Sequence, residues 1–417
     1  MDATAMEMTQ PTQIAIVGAG AAGCFAAIHI KRWMPEANVT VYESGKRALA
    51  KVAVTGGGRC NLTNSFAAVT SMEQVYPRGH RLMKRLLQEF GQQEVCQWFE
   101  HEGVALVTQE DECVFPVSQD AMEIVGTLLA LMKTLGVTLR TEHRMTNISH
   151  IGQGYRLEFS NGRTAEAQRV LIATGGSPKQ SGLDMLKELQ METVSPVPSL
   201  FSVCVADARL TSLSGTVVND VRTMLCGTKT QAHGALLITH QGLSGPAILK
   251  LSSRGARQLN TMAYRARIAV NWFGNAGEEE VLSQLLGMAA NHPQKQMQSV
   301  YPTRFTSRLW LFLLQQCQMR HDIRWAEAGT KSLRRMAAML THHEIEINGK
   351  NKFKEEFVTC GGVALSNINP STMECRQHPG LHLAGEVLDV DAITGGFNLQ
   401  AAWSMGYVAA RHMALTP

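Results

Sequence analysis

The sequence predicts an α/β protein built on a parallel sheet, interrupted by a β-rich insertion and a helical part. Three observations predict it. A strand, glycine turn, helix and second strand run through 14–43. Two further strand ends, at 169–176 and 381–396, are punctuated by glycine pairs. Between them the pattern changes from short β-like runs to helical spacing.

The first element is "QIAIVGAGAAGCFAAIHIKRW". A β-branched apolar run, Ile14 to Val17, leads into Gly18-x-Gly20-x-x-Gly23 and an alanine-rich helical segment to about Trp33. "ANVTVYES" follows as a second strand ending on Glu43, twenty residues after Gly23. Gly18 makes the tight turn, Gly20 admits backbone N–H groups to a pyrophosphate, and Gly23 lets helix pack on sheet; the helix N-terminus favours the anion. Ala19, Ala21 and Ala22 complete the turn, and Ser44 adjoins the acid. A carboxylate at Glu43 suits an unphosphorylated ribose, as in FAD or NAD rather than NADP. The uncharged run Ile14 to Ile30 approaches membrane-spanning length, but the three glycines and the motif give it a better reading.

Next comes "VTGGGRCNLTN", Val54 to Asn64, preceded by Lys51. Gly56, Gly57 and Gly58 allow close backbone approach to a ligand, while Thr55, Asn61, Thr63 and Asn64 supply short polar groups that hold a loop. Cys60 reads either as a nucleophile or proton donor activated by Arg59, or as a small buried residue at a crowded turn. No second thiol stands at disulfide-reductase spacing. Arg59 reads equally as a partner for phosphate or substrate anion and as a bridge. Segments 79–102 and 119–135 have helical spacing, and "YRLEF" at 155–159 alternates like a strand. "RVLIATGGSP" is a buried-type strand ending in Ala173-Thr174-Gly175-Gly176.

"SPVPSLFSV" marks a crossing into a second region, β-like to about 272. It contains His240 in "THQGLSGPAIL", a candidate acid/base group or a turn histidine. From Glu278 to Leu340 the pattern is helical, and 353–363 reads as a return strand containing Cys360. The strand Leu381 to Ala384 then leads to Gly385-Glu386, and Gly395-Gly396-Phe397-Asn398 opens a helix. Three glycine-punctuated strand ends dispersed over the chain suit a long ligand across the sheet edge, and FAD is that ligand. Glu386 reaches its ribityl or pyrophosphate region. The helix from about Asn398 turns its positive end to the flavin pyrimidine, where charge collects on reduction.

Apolar residues form 45% and charged residues 18% of the chain, which excludes a disordered protein. Nine cysteines without CxxC or zinc spacing read as reduced thiols of a cytoplasmic protein. The first residues show neither a basic start nor an apolar core of a secretory signal. Net charge is +4, but Lys250 to Leu340 holds 13 Lys/Arg against five acids. Arg308, Trp310, Arg320, Arg324, Trp325, Arg334 and Arg335 read as a basic, aromatic-bearing surface for a phosphate backbone, or as a solvated helical face.

The motifs GAGAAG at 18–23, TGGGRCNLTN at 55–64, ATGG at 173–176, LLITHQGLSGPAIL at 236–249 and GEVLDVDAITGGFN at 385–398 together resemble the YhiN/BaiN-like (aminoacetone-oxidase-type) bacterial FAD-binding flavoproteins across nearly the whole chain. Two positions depart from that pattern: Ala392, where glycine is usual, and Phe397, often tyrosine. The resemblance implies a three-layer, glutathione-reductase-like Rossmann FAD domain, discontinuous at 1–195 plus 353–417, with an inserted β-rich domain at 196–272 and a helical subdomain at 273–352. It also places the backbone at Met145 beside adenine. The implied activity is an FAD-dependent oxidoreductase: a C=C reductase fed by transient NAD(P)H, an amine oxidase using oxygen, or an enzyme reducing uridine in ribosomal RNA. A small-molecule substrate is expected, RNA enters only through the 250–340 insert, and no membrane partner is expected. A non-catalytic flavin-binding sensor is the alternative of another class.

Overall fold

The computed structural model describes residues 11–177, 179–351 and 358–415. The chain begins with β1 (Gln13–Val17), α1 (Ala21–Trp33), β2 (Asn38–Tyr42), α2 (Ala50–Gly58), β3 (Thr63–Asn64), α3 (Met72–Val75), α4 (His80–Glu89), α5 (Gln92–His101), β4 (Leu106–Thr108), β5 (Cys113–Pro116) and α6 (Ala121–Thr134). It continues with β6 (Thr138–Arg140), β7 (Met145–Ile151), β8 (Gly154–Phe159), β9 (Thr164–Ala167), β10 (Arg169–Ile172) and β11 (Thr193–Ser199). The middle stretch has β12 (Val203–Val205), α7 (Ala208–Thr211), β13 (Val217–Leu225), β14 (Gln231–Thr239), β15 (Gly242–Ser244), α8 (Pro246–Arg254), α9 (Ala256–Thr261) and β16 (Ala266–Asn271). After these come α10 (Glu278–Asn291), α11 (Ser307–Gln316), α12 (Gly329–Thr341) and β17 (His343–Lys350). The last elements are β18 (Val358–Val363), β19 (Leu381–Leu383) and α13 (Phe397–Leu415). Two compact units result, Met1–Val197 with Val358–Pro417, and Pro198–Phe357.

In the first unit a five-stranded parallel sheet runs in the order β19-β10-β1-β2-β6. Every residue from Ile14 to Val17 is buried, as a central parallel strand covered on both faces requires. The register aligns the strand ends: Val17 pairs with Tyr42 and Ile172, and Ile172 with Leu383. The residues that follow, Gly18, Glu43, Ala173 and Ala384, therefore emerge at one carboxyl edge, the binding edge of such sheets. Helix α1 is buried from Ala21 to Ile30 and packs along α13, close enough that a Cβ on Gly406 would lie 2.7 Å from the Ala22 carbonyl oxygen. The expected helix over 79–102 is two helices. The backbone leaves helical geometry at Phe90, and Glu94 caps the Gly91 N–H of the next helix at 2.8 Å. The return strand expected at 353–363 is β18; residues 353–357 lie outside the described residues.

The second unit is a closed barrel in the order β12-β15-β14-β13-β16-β17, and α10, α11 and α12 share its core. Among the described residues of the segment expected as a helical subdomain, 273–352, the helices share one core with the barrel. Residues His343, Ile345 and Ile347 alternate inward as strand β17 and close the barrel, while Trp272, Trp310 and Trp325 lie in one core with it. Burial of Trp310 and Trp325 corrects the expected aromatic-bearing surface: both rings are inside, stacked at 6.5 Å. The arginines of that segment remain exposed, but Arg320 pairs with Asp322 and Arg334 with Glu279. Among the described residues no helix is long and apolar enough to cross a membrane. None of the nine cysteines, all among the described residues, is in a disulfide.

His29 lies among Phe25, Trp33, Phe90, Trp98 and Tyr407, its Nε2 without a partner. Burial lowers its pKa from 6.5 to about 3. The unfolded imidazole takes up a proton below its ordinary value while the folded one stays neutral, so stability present at pH 7 is lost as pH falls through that window. We expect His29→Leu to flatten this acid loss, measured as unfolding free energy from pH 7 to pH 4, by on the order of a few kcal/mol.

Candidate functional site

At the carboxyl edge of the parallel sheet the first glycine turn is packed against the end of β10. A Cβ on Gly18, where φ is +109°, would lie 2.2 Å from the Ala173 carbonyl oxygen. Gly20 is different. It caps α1 with extended backbone and no side-chain cap, and a Cβ there would meet no atom within 4 Å. The first N–H groups of α1, around Ala21, Ala22 and Gly23, have no intrahelical acceptor and no acidic side chain in the first turn, so they face this opening as anion donors. Glu43 stands beside them. Its Oε2 accepts the Ala19 N–H at 3.0 Å, and its Oε1 accepts from Gly45 N–H (2.7 Å) and Ser44 Oγ (3.1 Å). The Glu43 carbonyl accepts the His143 N–H at 2.8 Å, which brings the backbone leading to Met145 alongside the acid; the Met145 side chain itself is buried.

The loop after α2 answers what its glycines are for. The helix geometry breaks at Thr55, and Gly56, Gly57 and Gly58 all take positive φ. A Cβ on Gly57 or Gly58 would meet nothing within 4 Å, so neighbouring protein atoms do not demand glycine's small size there. Beyond these glycines the loop interlocks with the C-terminal motif. With its amide oriented so that nitrogen meets acceptor and oxygen meets donor, Asn61 donates from Nδ2 to the Thr63 carbonyl (3.0 Å) and accepts the Gly396 N–H (3.2 Å). Asn64 Nδ2 donates to the Gly395 carbonyl at 3.1 Å, and a Cβ on Gly396 would strike the Thr63 carbonyl oxygen at 2.2 Å. Thr174 is exposed at the edge and Gly175 has φ +75° with open space above it. Gly385 is buried against Ala22, and Glu386 accepts the Thr359 N–H at 2.6 Å and faces Lys51 at 3.4 Å. Asn398 is spent on its own loop: Oδ1 accepts the Ala392 N–H (2.9 Å) and Nδ2 donates to the Ala392 carbonyl (3.1 Å). Ala392 is outside the positive-φ region, so alanine fits where glycine was usual, and Phe397 packs edge-on to Phe66.

The three catalytic candidates fare differently. Cys60 is fully buried, and burial pushes its thiol up to about 12. It sits as a small residue at a crowded turn, with φ +60°, and its burial disfavours the thiolate that a nucleophile needs. Arg59 is exposed but engaged locally: its guanidinium lies 4.4 Å from the Phe115 ring centre and donates to the Gly56 carbonyl (3.1 Å) and Gln119 (3.3 Å). His240 belongs to the second unit, exposed in the turn joining β14 and β15. Cys360 is buried. We expect Cys60→Ala to keep flavin content within about twofold of wild type, with a stability loss of about 1 kcal/mol, read from absorbance and thermal unfolding.

Sequence reasoning missed a clamp behind the C-terminal loop. Arg78 makes a two-pronged ion pair with the fully buried Asp391. Ile393 N–H donates to the Val75 carbonyl and Tyr76 OH to the Phe397 carbonyl, each at 2.9 Å. Trp403 Nε1 donates to the Leu62 carbonyl at 3.1 Å, and Gln400 and Ser404 carry a buried hydrogen-bond chain from Thr63 to the Phe90 carbonyl. An acid inside the apolar run "EVLDVDAITGG" was the available signal for Asp391; its partner, 313 positions away, had none.

Residues 12–412 match the HI0933-like protein Rossmann domain. The chain belongs to the HI0933-like family. Relatives include the ribosomal RNA dihydrouridine synthases of Haemophilus influenzae (27% identical, covering 97% of this chain and 98% of that protein) and Escherichia coli K12 (28%, covering 95% and 97%). The 3-dehydro-bile acid delta(4,6)-reductase of Clostridium scindens is 27% identical, covering 97% of this chain and 100% of that protein. The fold is shared with 3-ketosteroid delta1-dehydrogenase of Sterolibacterium denitrificans, at a TM-score of 0.50 and 11% identity over 98% of this chain and 100% of that one. This HI0933-like protein has the Rossmann-type FAD-binding fold and is an FAD-dependent oxidoreductase. Its residues fit the cofactor: an uncapped helix N-terminus, open space over Gly20, Gly57 and Gly58, and a carboxylate beside the turn.

Proposed function

We propose that this HI0933-like flavoprotein reduces a C=C bond with electrons that NADH or NADPH delivers through FAD. The observation that carries the reading is a carboxyl edge that fits FAD in a chain aligned over nearly its whole length with relatives named for C=C chemistry. Two kinds of relative support the bond type, since the names dihydrouridine synthase and delta(4,6)-reductase both describe saturation of a C=C bond.

In this reading the α1 N–H groups at Ala21, Ala22 and Gly23 bind the pyrophosphate, and Glu43 orients the adenosine ribose through its hydroxyls. The turn residues Gly18, Ala19, Gly20 and Ser44 and the backbone before Met145 enclose the adenosine half. Lys51, Thr55, Gly56, Gly57, Asn61, Ala173, Thr174, Gly175, Gly385 and Glu386 line the remainder. Gly396, Phe397 and Asn398 present the positive end of α13. Bound FAD supplies two-electron transfer, and the chain supplies position and electrostatics. Glu43→Ala is expected to lower the flavin retained through purification by at least about tenfold, or about 1.4 kcal/mol; mutant protein as yellow as wild type would remove the ribose role.

The test is anaerobic. NADH and NADPH are added separately to the purified flavoprotein while the yellow band is followed. Rapid bleaching by either supports the reading. Bleaching by an amine and by neither nicotinamide replaces it with amine oxidation, and a flavin that no donor bleaches returns the sensor alternative.

A second reading makes the C=C bond that of uridine in ribosomal RNA. The charge of the insert favours it: 13 Lys/Arg stand against five acids between Lys250 and Leu340, with Arg308, Arg324 and Arg335 exposed. With Trp310 and Trp325 inside the core, neither is available to stack on bases, and contact through the arginines to phosphates should make affinity fall steeply with salt. A filter-binding assay with ribosomal RNA fragments showing no salt-sensitive affinity would exclude it.

A further inference from the structure

Away from the flavin edge, Glu374, His382 and His412 come together in the first unit. Each offers one ligand atom, and these atoms lie within 4.8 Å of one another. His382 is on β19, in the strand that leads into the Gly385-Glu386 loop; His412 is in the last turns of α13; Glu374 lies on the segment that bridges to His382. The two imidazoles already face each other, His382 Nε2 to His412 Nδ1 at 2.9 Å.

We infer that Glu374, His382 and His412 form a binding site for a divalent transition metal, with zinc the best fit. Two neutral imidazoles and one carboxylate are the ligand types zinc takes, with a fourth position left for water. His382 is buried on strand β19, so its ring is already fixed in position before an ion arrives. Its Nδ1 is buried without a hydrogen-bond partner. A proton on Nδ1 leaves Nε2 as the ligand, the arrangement that outer-shell carbonyls impose on metal-binding histidines. Glu374 is held in the same way: Gly380 N–H donates to its Oε1 at 2.7 Å, leaving its other oxygen for the ion. Its charge is what a divalent cation needs here, because the Arg169 guanidinium donates to the Met413 carbonyl, next to His412.

The geometric demand is small. Zinc bonds of about 2.0–2.1 Å place tetrahedral donors about 3.3 Å apart. The imidazole pair must open slightly and the carboxylate must swing inward. Both adjustments fall to His412 and Glu374, which are only half-buried, while the buried His382 stays in place. The ion would replace the proton shared by the two rings and tie β19 to the C-terminal end of α13. Those are the two ends of the segment that carries the 385–398 loop.

The experiment uses tag-free, chelator-treated protein with its FAD retained, titrated with zinc chloride by calorimetry, with bound metal counted by elemental analysis. One zinc per chain is expected, with a Kd at or below about 1 µM, and zinc should raise the thermal unfolding midpoint. His412→Ala and Glu374→Gln, both at half-buried positions, should each weaken binding at least about tenfold and abolish the thermal shift. His150→Ala removes one of a different pair of facing histidines (His150 Nε2 to His378 Nδ1, 2.8 Å) and should change neither. Absence of stoichiometric binding, or binding that survives both His412→Ala and Glu374→Gln, overturns the site and leaves only a hydrogen-bonded histidine pair.

Discussion

Asp391→Ala is expected to destabilise the full chain by about 3–5 kcal/mol and to strip it of FAD, because it leaves the Arg78 guanidinium largely buried without its carboxylate. The pair joins the 75–78 segment to the loop between β19 and α13, with side-chain exposures of only 12% for Arg78 and 0% for Asp391. A buried pair is costly to break and cheap to replace. Arg78→Met with Asp391→Leu should therefore recover much of the stability, since apolar residues of similar volume remove the stranded charge. Denaturant unfolding of both variants, with flavin absorbance read on the same samples, checks this. A loss below about 1 kcal/mol in Asp391→Ala would mean that the arginine finds water or another acceptor when its partner is removed.

Gly20→Val separates the ligand's demands from the fold's. The Gly20 backbone is extended, at φ −88° and ψ −168°, a region valine favours, and a Cβ there meets no protein atom within 4 Å. The apoprotein should unfold at the wild-type midpoint. FAD affinity should fall by at least about tenfold, or about 1.4 kcal/mol, because the branched side chain occupies the space through which a pyrophosphate approaches the α1 N–H groups. Equal loss of apoprotein stability and of FAD would show that Gly20 serves packing. Gly18 and Gly23 do not allow this distinction, since a Cβ on either would lie within 2.2 Å of a backbone oxygen.

How much of this was legible in the sequence depended on how local the physics is. Residues Ile14 to Glu43 carry their own explanation: an apolar run, a glycine turn, an alanine-rich helix and an acid at fixed spacing can form one βαβ half-site and little else. The helices over 278–340 were legible for the same reason, through short-range periodicity. Strand β17 was not, because eight residues alternating after a long helical stretch gain meaning only once the barrel needs a sixth strand. Local pattern also could not say which side of a helix faces inward in three dimensions, and Trp310 and Trp325 therefore read as surface residues before the core claimed them.

By itself, then, the sequence determined that this protein has a parallel α/β sheet, a dinucleotide half-site ending on Glu43, and glycine-rich strand ends suited to FAD. Those are properties of contiguous residues, set by backbone sterics and side-chain alternation. Only the tertiary structure decided that Asn61 and Gly396 share a hydrogen bond and that Arg78 meets Asp391. It also decided that Cys60 is sealed from solvent and that His382 faces His412. Each of these depends on residues brought together by sheet order and helix packing, and a thiol's reactivity or a carboxylate's partner is set by burial and neighbours that no spacing along the chain records.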